Sequence, residues 1–127
     1  MNAFLLSRAR SFHNAFNGWW YVIHTQKNAW IHMVATICVF ILALWLKVAL
    51  LDGAILVLTI ALVWTAEFLN TALEAVVDLA SPQRHPLAKV GKDVGAAAVL
   101  IAAASAVIIG ILILGPPLWN RLAVLTK

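Results

Sequence analysis

The sequence predicts an all-α membrane protein with three transmembrane helices and an N-terminal interfacial amphipathic helix. Composition is the first reason. Of 127 residues, 64% are hydrophobic and only 11% charged, against about 25% charged in soluble domains. The second reason is the spacing of the apolar runs. Residues 29–51 are interrupted only by His32 and Lys47, residues 53–66 lead into a helix that continues through Ala80, and residues 94–114 carry no charge. A span needs roughly 20 residues, so one domain over 1–127 is expected, with membrane helices within 29–51, 53–80 and 87–114.

Residues 3–24 read as the interfacial helix. Leu5, Phe12, Phe16, Trp19, Trp20 and Ile23 share one side, and Ser7, Arg10, His13, Asn14 and Asn17 share the other. A helix with one aromatic face and one basic, polar face suits the membrane surface. The opening residues lack the uninterrupted apolar core and small-residue cleavage site of a signal peptide. His24-Thr25-Gln26-Lys27-Asn28 breaks the pattern before the first span, and residues 47–52 form a short turn. Ser81 to Pro86 contains two prolines and stops the second membrane helix. Residues 87–93 start the third, with Lys89, Lys92 and Asp93 in its early turns. Gly115-Pro116-Pro117 is expected to end it, leaving residues 118–127 as a tail. Cys38 lies within the first span and reads as a small apolar filler.

Basic residues orient the chain. Arg8, Arg10, Lys27, Arg84, Lys89 and Lys92 fall on one side; Lys47, Arg121 and Lys127 fall on the other. This bias predicts a cytosolic N-terminus and a cytosolic 80–93 loop. The excess of cations serves topology and headgroup contact, and no nucleic-acid partner is expected. The four histidines lack metal spacing with one another.

The polar stripe on the second membrane helix is the candidate site. Glu67, Asn70, Glu74 and Asp78 fall within an arc of about 80° on one helical face at about 100° per residue. Polar groups on a lipid-facing helix are costly and by default mark function. At 1.5 Å per residue from Gly53, Glu67 lies about 21 Å along the helix and Glu74 about 31 Å. The stripe thus runs from shallow hydrocarbon to the headgroup region of a core about 30 Å thick. Such a position suits a reaction between a water-soluble substrate and a lipid headgroup. Carboxylates near Lys92 and a helix start fit Mg²⁺-nucleotide chemistry. An ion or proton pathway and a structural hydrogen-bond ladder fit the spacing as well.

The same residues carry a resemblance. The run Glu67, Asn70, Thr71, Ala72, Glu74, Asp78 matches the E-x-x-N-[ST]-A-x-E-x-x-x-D signature of the small bacterial integral-membrane diacylglycerol and undecaprenol kinases. The block Ala88-Lys89-Val90-Gly91-Lys92-Asp93, followed by the small residues 95–98, matches the family's second motif. The chain resembles that family over nearly its whole length, including Phe16–Gly18, Asn28 and His32, and its 79–93 wording is similar to the undecaprenol-kinase branch. The resemblance implies a homotrimer in the bacterial cytoplasmic (inner) membrane that transfers the γ-phosphoryl group of ATP to a lipid hydroxyl. By the same carry-over, Glu67 is the general base and Glu74 a Mg²⁺ ligand. Asn70 orients the site, Lys92 and Asp93 contact the nucleotide, and Asp78 fixes nucleotide or helix geometry.

The chain departs from the family pattern at Gln26, which stands where relatives place a second metal-binding glutamate, and at Trp30, where arginine is common. A glutamine offers a neutral oxygen but removes one charge from the metal site. The alternative to a working kinase is therefore a catalytically reduced relative acting as a membrane scaffold or lipid-binding protein. His32 reads as a packing histidine, His85 as a solvated loop residue, and Gly91 and Gly95 as sites of close helix packing.

Overall fold

A backbone that enters hydrocarbon must satisfy its own hydrogen bonds, and a helix does so within one segment. The computed structural model describes residues 3–125, arranged as α1 (Ala3–Thr25), α2 (Lys27–Leu46), α3 (Leu50–Ala80) and α4 (Pro86–Leu125). Among the described residues there is no strand. Helices α2, α3 and α4 are each long and apolar enough to cross a membrane. α3, with 31 residues, is about 46 Å long, and α4, with 40, about 60 Å. Both outrun a core of about 30 Å.

α3 and α4 form the most intimate pair, antiparallel and joined by residues 81–85. At their closest approach there is no room for a side chain on α4. A Cβ on Gly95 would collide with the Asn70 side-chain oxygen and lie 3.1 Å from Leu73 Cδ2. α2 lies against both helices, fixed in part by the Trp64 indole N–H, which donates to Thr36 Oγ1 at 3.2 Å.

α1 and α2 meet at an elbow. Gln26 has extended backbone angles (φ −101°, ψ 117°), while its N–H still donates to the Val22 carbonyl at 2.9 Å. Val22 and Ala29, one on each side of the elbow, are buried with Trp64. Trp19 packs on α3 at 4.8 Å from Trp64 and 4.7 Å from Phe68, centroid to centroid. Only the last turns of α1 are held in this way. Phe4, Phe12, Phe16 and Trp20 stay exposed, as expected of a helix that lays its aromatic face on a membrane.

Three helix ends differ from the sequence expectation. α2 stops at Leu46 and not at 51. Lys47 turns left-handed (φ 53°, ψ 49°), its N–H donates to Leu44, and the Val48 N–H donates to Ala43, each at 3.2 Å. This is a Schellman closure, and hydropathy could not reveal it because residues 48–51 are apolar too. α3 accordingly starts at Leu50 and not at 53. Asp52 then falls in its first turn, where the helix dipole favours an anion.

The third correction is larger. α4 does not end at Gly115-Pro116-Pro117 but continues through both prolines to Leu125. The prolines withdraw the donors that would have bonded to the Leu112 and Ile113 carbonyls. A recess of about 440 Å³ lined by Leu112, Ile113, both prolines, Lys47 and Asp52 leaves those carbonyls room to find other donors. Past the prolines, the Arg121 guanidinium lies 5.8 Å from the Trp45 ring centroid, tying the extension to the end of α2.

A left-handed lysine is strained where glycine is not. Lys47→Gly should stabilise the protein by up to about 1 kcal/mol, the relief of strain exceeding the added freedom of the unfolded chain. Thermal unfolding in detergent micelles checks this: the midpoint should rise for Lys47→Gly and stay put for Lys47→Ala, which keeps a Cβ.

Candidate active site on the inner face of α3

One face of α3 collects contributions from every other helix or its ends. Glu67 is the deepest member, with 1% of its surface exposed. Trp64 and Phe68 flank it in sequence, and Trp19 closes over both rings. His32 faces Glu67 from α2, with Nε2 3.8 Å from Oε2. The Thr71 hydroxyl donates to the Glu67 backbone carbonyl at 2.9 Å, which leaves the carboxylate to other partners.

One to two turns on, two amides grip a second carboxylate. Asn70 Nδ2 donates to Glu74 Oε1 at 3.2 Å, and Gln26 Nε2 donates to Glu74 Oε2 at 3.4 Å. The elbow makes the Gln26 contact possible, because its extended backbone turns the side chain across to α3. Asn70 Oδ1 is buried and has no partner. It abuts the bare backbone of Gly95, while the amide nitrogen serves Glu74.

Beyond Glu74 the site opens into a recess of about 600 Å³ at the α3–α4 connection, lined in part by Asp78, Arg84, His85, Lys89, Lys92 and Asp93. Lys92 Nζ bridges to Asp78 Oδ1 at 2.6 Å, tying α4 to α3, and Lys89 pairs with Asp93 at 2.5 Å. His85 Nδ1 accepts from the Leu87 N–H at 3.2 Å, so this residue caps the start of α4. From Glu67 to Asp78 the row covers about 16 Å of helix. It passes from a sealed carboxylate to an amide-held carboxylate to an open bowl lined by ion pairs and Arg84.

Among the described residues no three histidine, cysteine or acidic side chains gather as a metal site. A magnesium ion does not need such a set. It takes one or two carboxylates and completes its shell with neutral oxygens, water and phosphate. Glu74, flanked by the side-chain amides of Gln26 and Asn70, fits that description.

Gln26, Asn70 and Glu74 thus form one cluster, Glu67 lies two turns below, and Asp78 pairs with Lys92. Asp93 turns to Lys89 but borders the same recess. Two participants were not singled out from sequence. From sequence His32 reads as packing, although a histidine inside an apolar run is itself a signal. Arg84 lines the bowl from a connection whose prolines drew attention first.

The chain is similar to known proteins over most of its length. The model of the family described as prokaryotic diacylglycerol kinase matches residues 13–114. A protein named diacylglycerol kinase from Synechocystis is 47% identical over 111 residues, covering 87% of this chain and 63% of the relative. An undecaprenol kinase from Bacillus subtilis is 38% identical over 109 residues, covering 86% and 89%. The diacylglycerol kinase of Escherichia coli K12 is 43% identical over 75 residues, covering 59% and 62%. The chain therefore spans just under two thirds of the Synechocystis and Escherichia coli relatives, and most of the Bacillus one.

The Gly95–Asn70 contact can be tested directly. Gly95→Ala should destabilise the protein by about 1–3 kcal/mol, since its methyl group must push Asn70 away from Glu74 or part the helices. Gly91→Ala, which meets only Val77 Cγ2 at 3.7 Å, should be close to neutral. Unfolding of both variants, and of Gly95→Ala combined with Asn70→Ala, is the measurement. Simple additivity in the double variant would show that Gly95 does not act through Asn70.

Proposed function

The chain belongs to the prokaryotic diacylglycerol kinase family, and from that premise we propose that it phosphorylates a membrane lipid alcohol with ATP. The observation that carries the reading is one row on α3. It joins a sealed carboxylate, Glu67, to an amide-held carboxylate, Glu74, and then to a bowl open at the helix ends that holds Lys92, Lys89 and Arg84 beside two aspartates. A lipid hydroxyl arrives from the apolar side and a nucleotide from the wet side.

Each residue then has a task. Glu67 accepts the proton of the acceptor hydroxyl as its oxygen bonds to the γ-phosphorus and the bond to ADP breaks. Glu74 with Gln26 would hold Mg²⁺, and Asn70 orients the site through its amide N–H on Glu74. When bound, that ion neutralises charge on the phosphate oxygens. The Gln26 amide presents its oxygen to a cation by turning over. Lys92 meets the phosphates as a point charge, released from Asp78 or shared with it. Asp78 holds Lys92 in place, and Asp93 contacts the nucleotide from the rim. The apolar wall of Trp19, Trp64 and Phe68 keeps bulk water from Glu67. The acceptor class includes diacylglycerol and undecaprenol, which share the hydroxyl. A homotrimer in the bacterial inner membrane, with a cytosolic N-terminus, would close the open side of each bowl and place it towards ATP.

One observation favours a second reading, a catalytically reduced scaffold or lipid-binding protein. Gln26 meets Glu74 with a hydrogen bond and no added charge, which weakens the attraction of the cluster for a divalent cation.

Three experiments decide. Purified protein incubated with labelled ATP and a panel of lipid alcohols should yield phosphorylated lipid. Glu67→Gln, which keeps shape but removes the proton acceptor, should lower turnover about 100-fold or more while nucleotide binding survives. Retained turnover in that variant would remove Glu67 from the role of base. Gln26→Glu should raise Mg²⁺ affinity and activity at low Mg²⁺, with a smaller gain at saturation, because a second carboxylate adds direct attraction for a hard cation. Under the scaffold reading the same change destabilises the protein and produces no activity. Magnesium titrations of both proteins separate the two.

A further inference from the structure

Two buried polar atoms face each other near the sealed end of the row without a bond. His32 Nε2 and Glu67 Oε2 lie 3.8 Å apart, and neither has a hydrogen-bond partner. A buried acceptor left unpaired is costly, so the surroundings should supply a donor. The neighbouring donors are already committed. The Thr71 hydroxyl serves the Glu67 backbone, Asn70 Nδ2 and Gln26 Nε2 serve Glu74, and Trp64 Nε1 serves Thr36. His32 is the donor left.

We propose that His32 is a positioning residue for Glu67: its Nε2–H holds one carboxylate oxygen from α2 and leaves the other directed at the acceptor hydroxyl. The inference rests on the kinase reading for its role, though not for the contact. A separation of 3.8 Å is too long for a hydrogen bond. A shortening of about 0.8 Å would complete one, and catalytic hydrogen bonds are often long until substrate is bound. The ring is aimed by its neighbours. Its plane meets the Trp64 indole edge-on, 70° between planes and 6.2 Å between centroids. Trp64 is in turn bonded to Thr36, one turn along α2 from His32. Thr36, Trp64 and His32 therefore form a bracket that carries the position of α2 to the base on α3.

The bracket predicts coupling between two residues of different helices. His32→Phe should lower kcat for lipid phosphorylation on the order of 10- to 100-fold, the scale of a misplaced reacting group, with KM for ATP unchanged. His32→Gln keeps an N–H donor and should recover most of the loss, whereas a packing role would not favour glutamine over phenylalanine. In a Glu67→Gln background the His32→Phe effect should vanish. An equal loss in both backgrounds, or no recovery by glutamine, would overturn the proposal. The contact has its own readout in ¹⁵N-histidine-labelled protein in micelles. The His32 Nε2 resonance, identified by its loss in His32→Phe, should move on Glu67→Gln and not on Glu74→Gln. A stationary resonance overturns the contact whatever the activity. A moving resonance in a protein that phosphorylates no lipid overturns the kinase reading and, with it, the assigned role.

Discussion

The carboxylate of Glu67 is buried in the apolar body of the bundle, and a charge so placed must be matched by its surroundings or given up. Much of the architecture around it follows from that demand. The elbow at Gln26 folds α1 back so that Trp19 covers Trp64 and Phe68. α2 brings the imidazole of His32 to the same depth. Remove the carboxylate and the polar face of α3 would have no reason to extend so far into hydrocarbon. Its neighbours would then do better as leucine.

A second constraint keeps the row in register. α3 carries Asn70 and Glu74, but the position of the Asn70 side chain is set by α4, through the bare backbone of Gly95. The Lys92–Asp78 pair fastens the same two helices about three residues' length from that contact. The half-exposed charges of that pair contribute little stability on their own. Their effect is geometric, since they hold the bowl at a fixed distance from the amide cluster. Helix pairing in membranes favours small residues for close approach, and here the close approach also aims a polar group.

The fold was legible wherever hydropathy decides it. The three long apolar helices and the amphipathic helix follow from length, period and charge, and the four residues of the row follow from their spacing. What the sequence could not show are features set by contacts between distant segments or by local closure. Lys47 ends α2 with a left-handed turn that residue type does not favour, and apolar residues on both sides hid the boundary. The two prolines predict an end to α4, yet the helix runs past them, and there Arg121 lies against the Trp45 ring. His32 and Glu67 are 35 residues apart and on different helices, so no periodicity links them. The contact of Gln26 with Glu74 spans 48 residues and was expected only through resemblance to a family.

Gln26 also has a mechanical consequence. It is both the hinge of α1 and a partner of Glu74, so the angle of that helix and the seating of one amide are a single variable. α1 is a lever about 35 Å long whose far end carries exposed aromatic residues and touches little of the protein. A plane that supports that end would bear on the reach of the amide at the other. A lipid surface under α1 would then be more than a solvent for the protein. It would act as the reference plane from which the distance between Gln26 and Glu74 is measured.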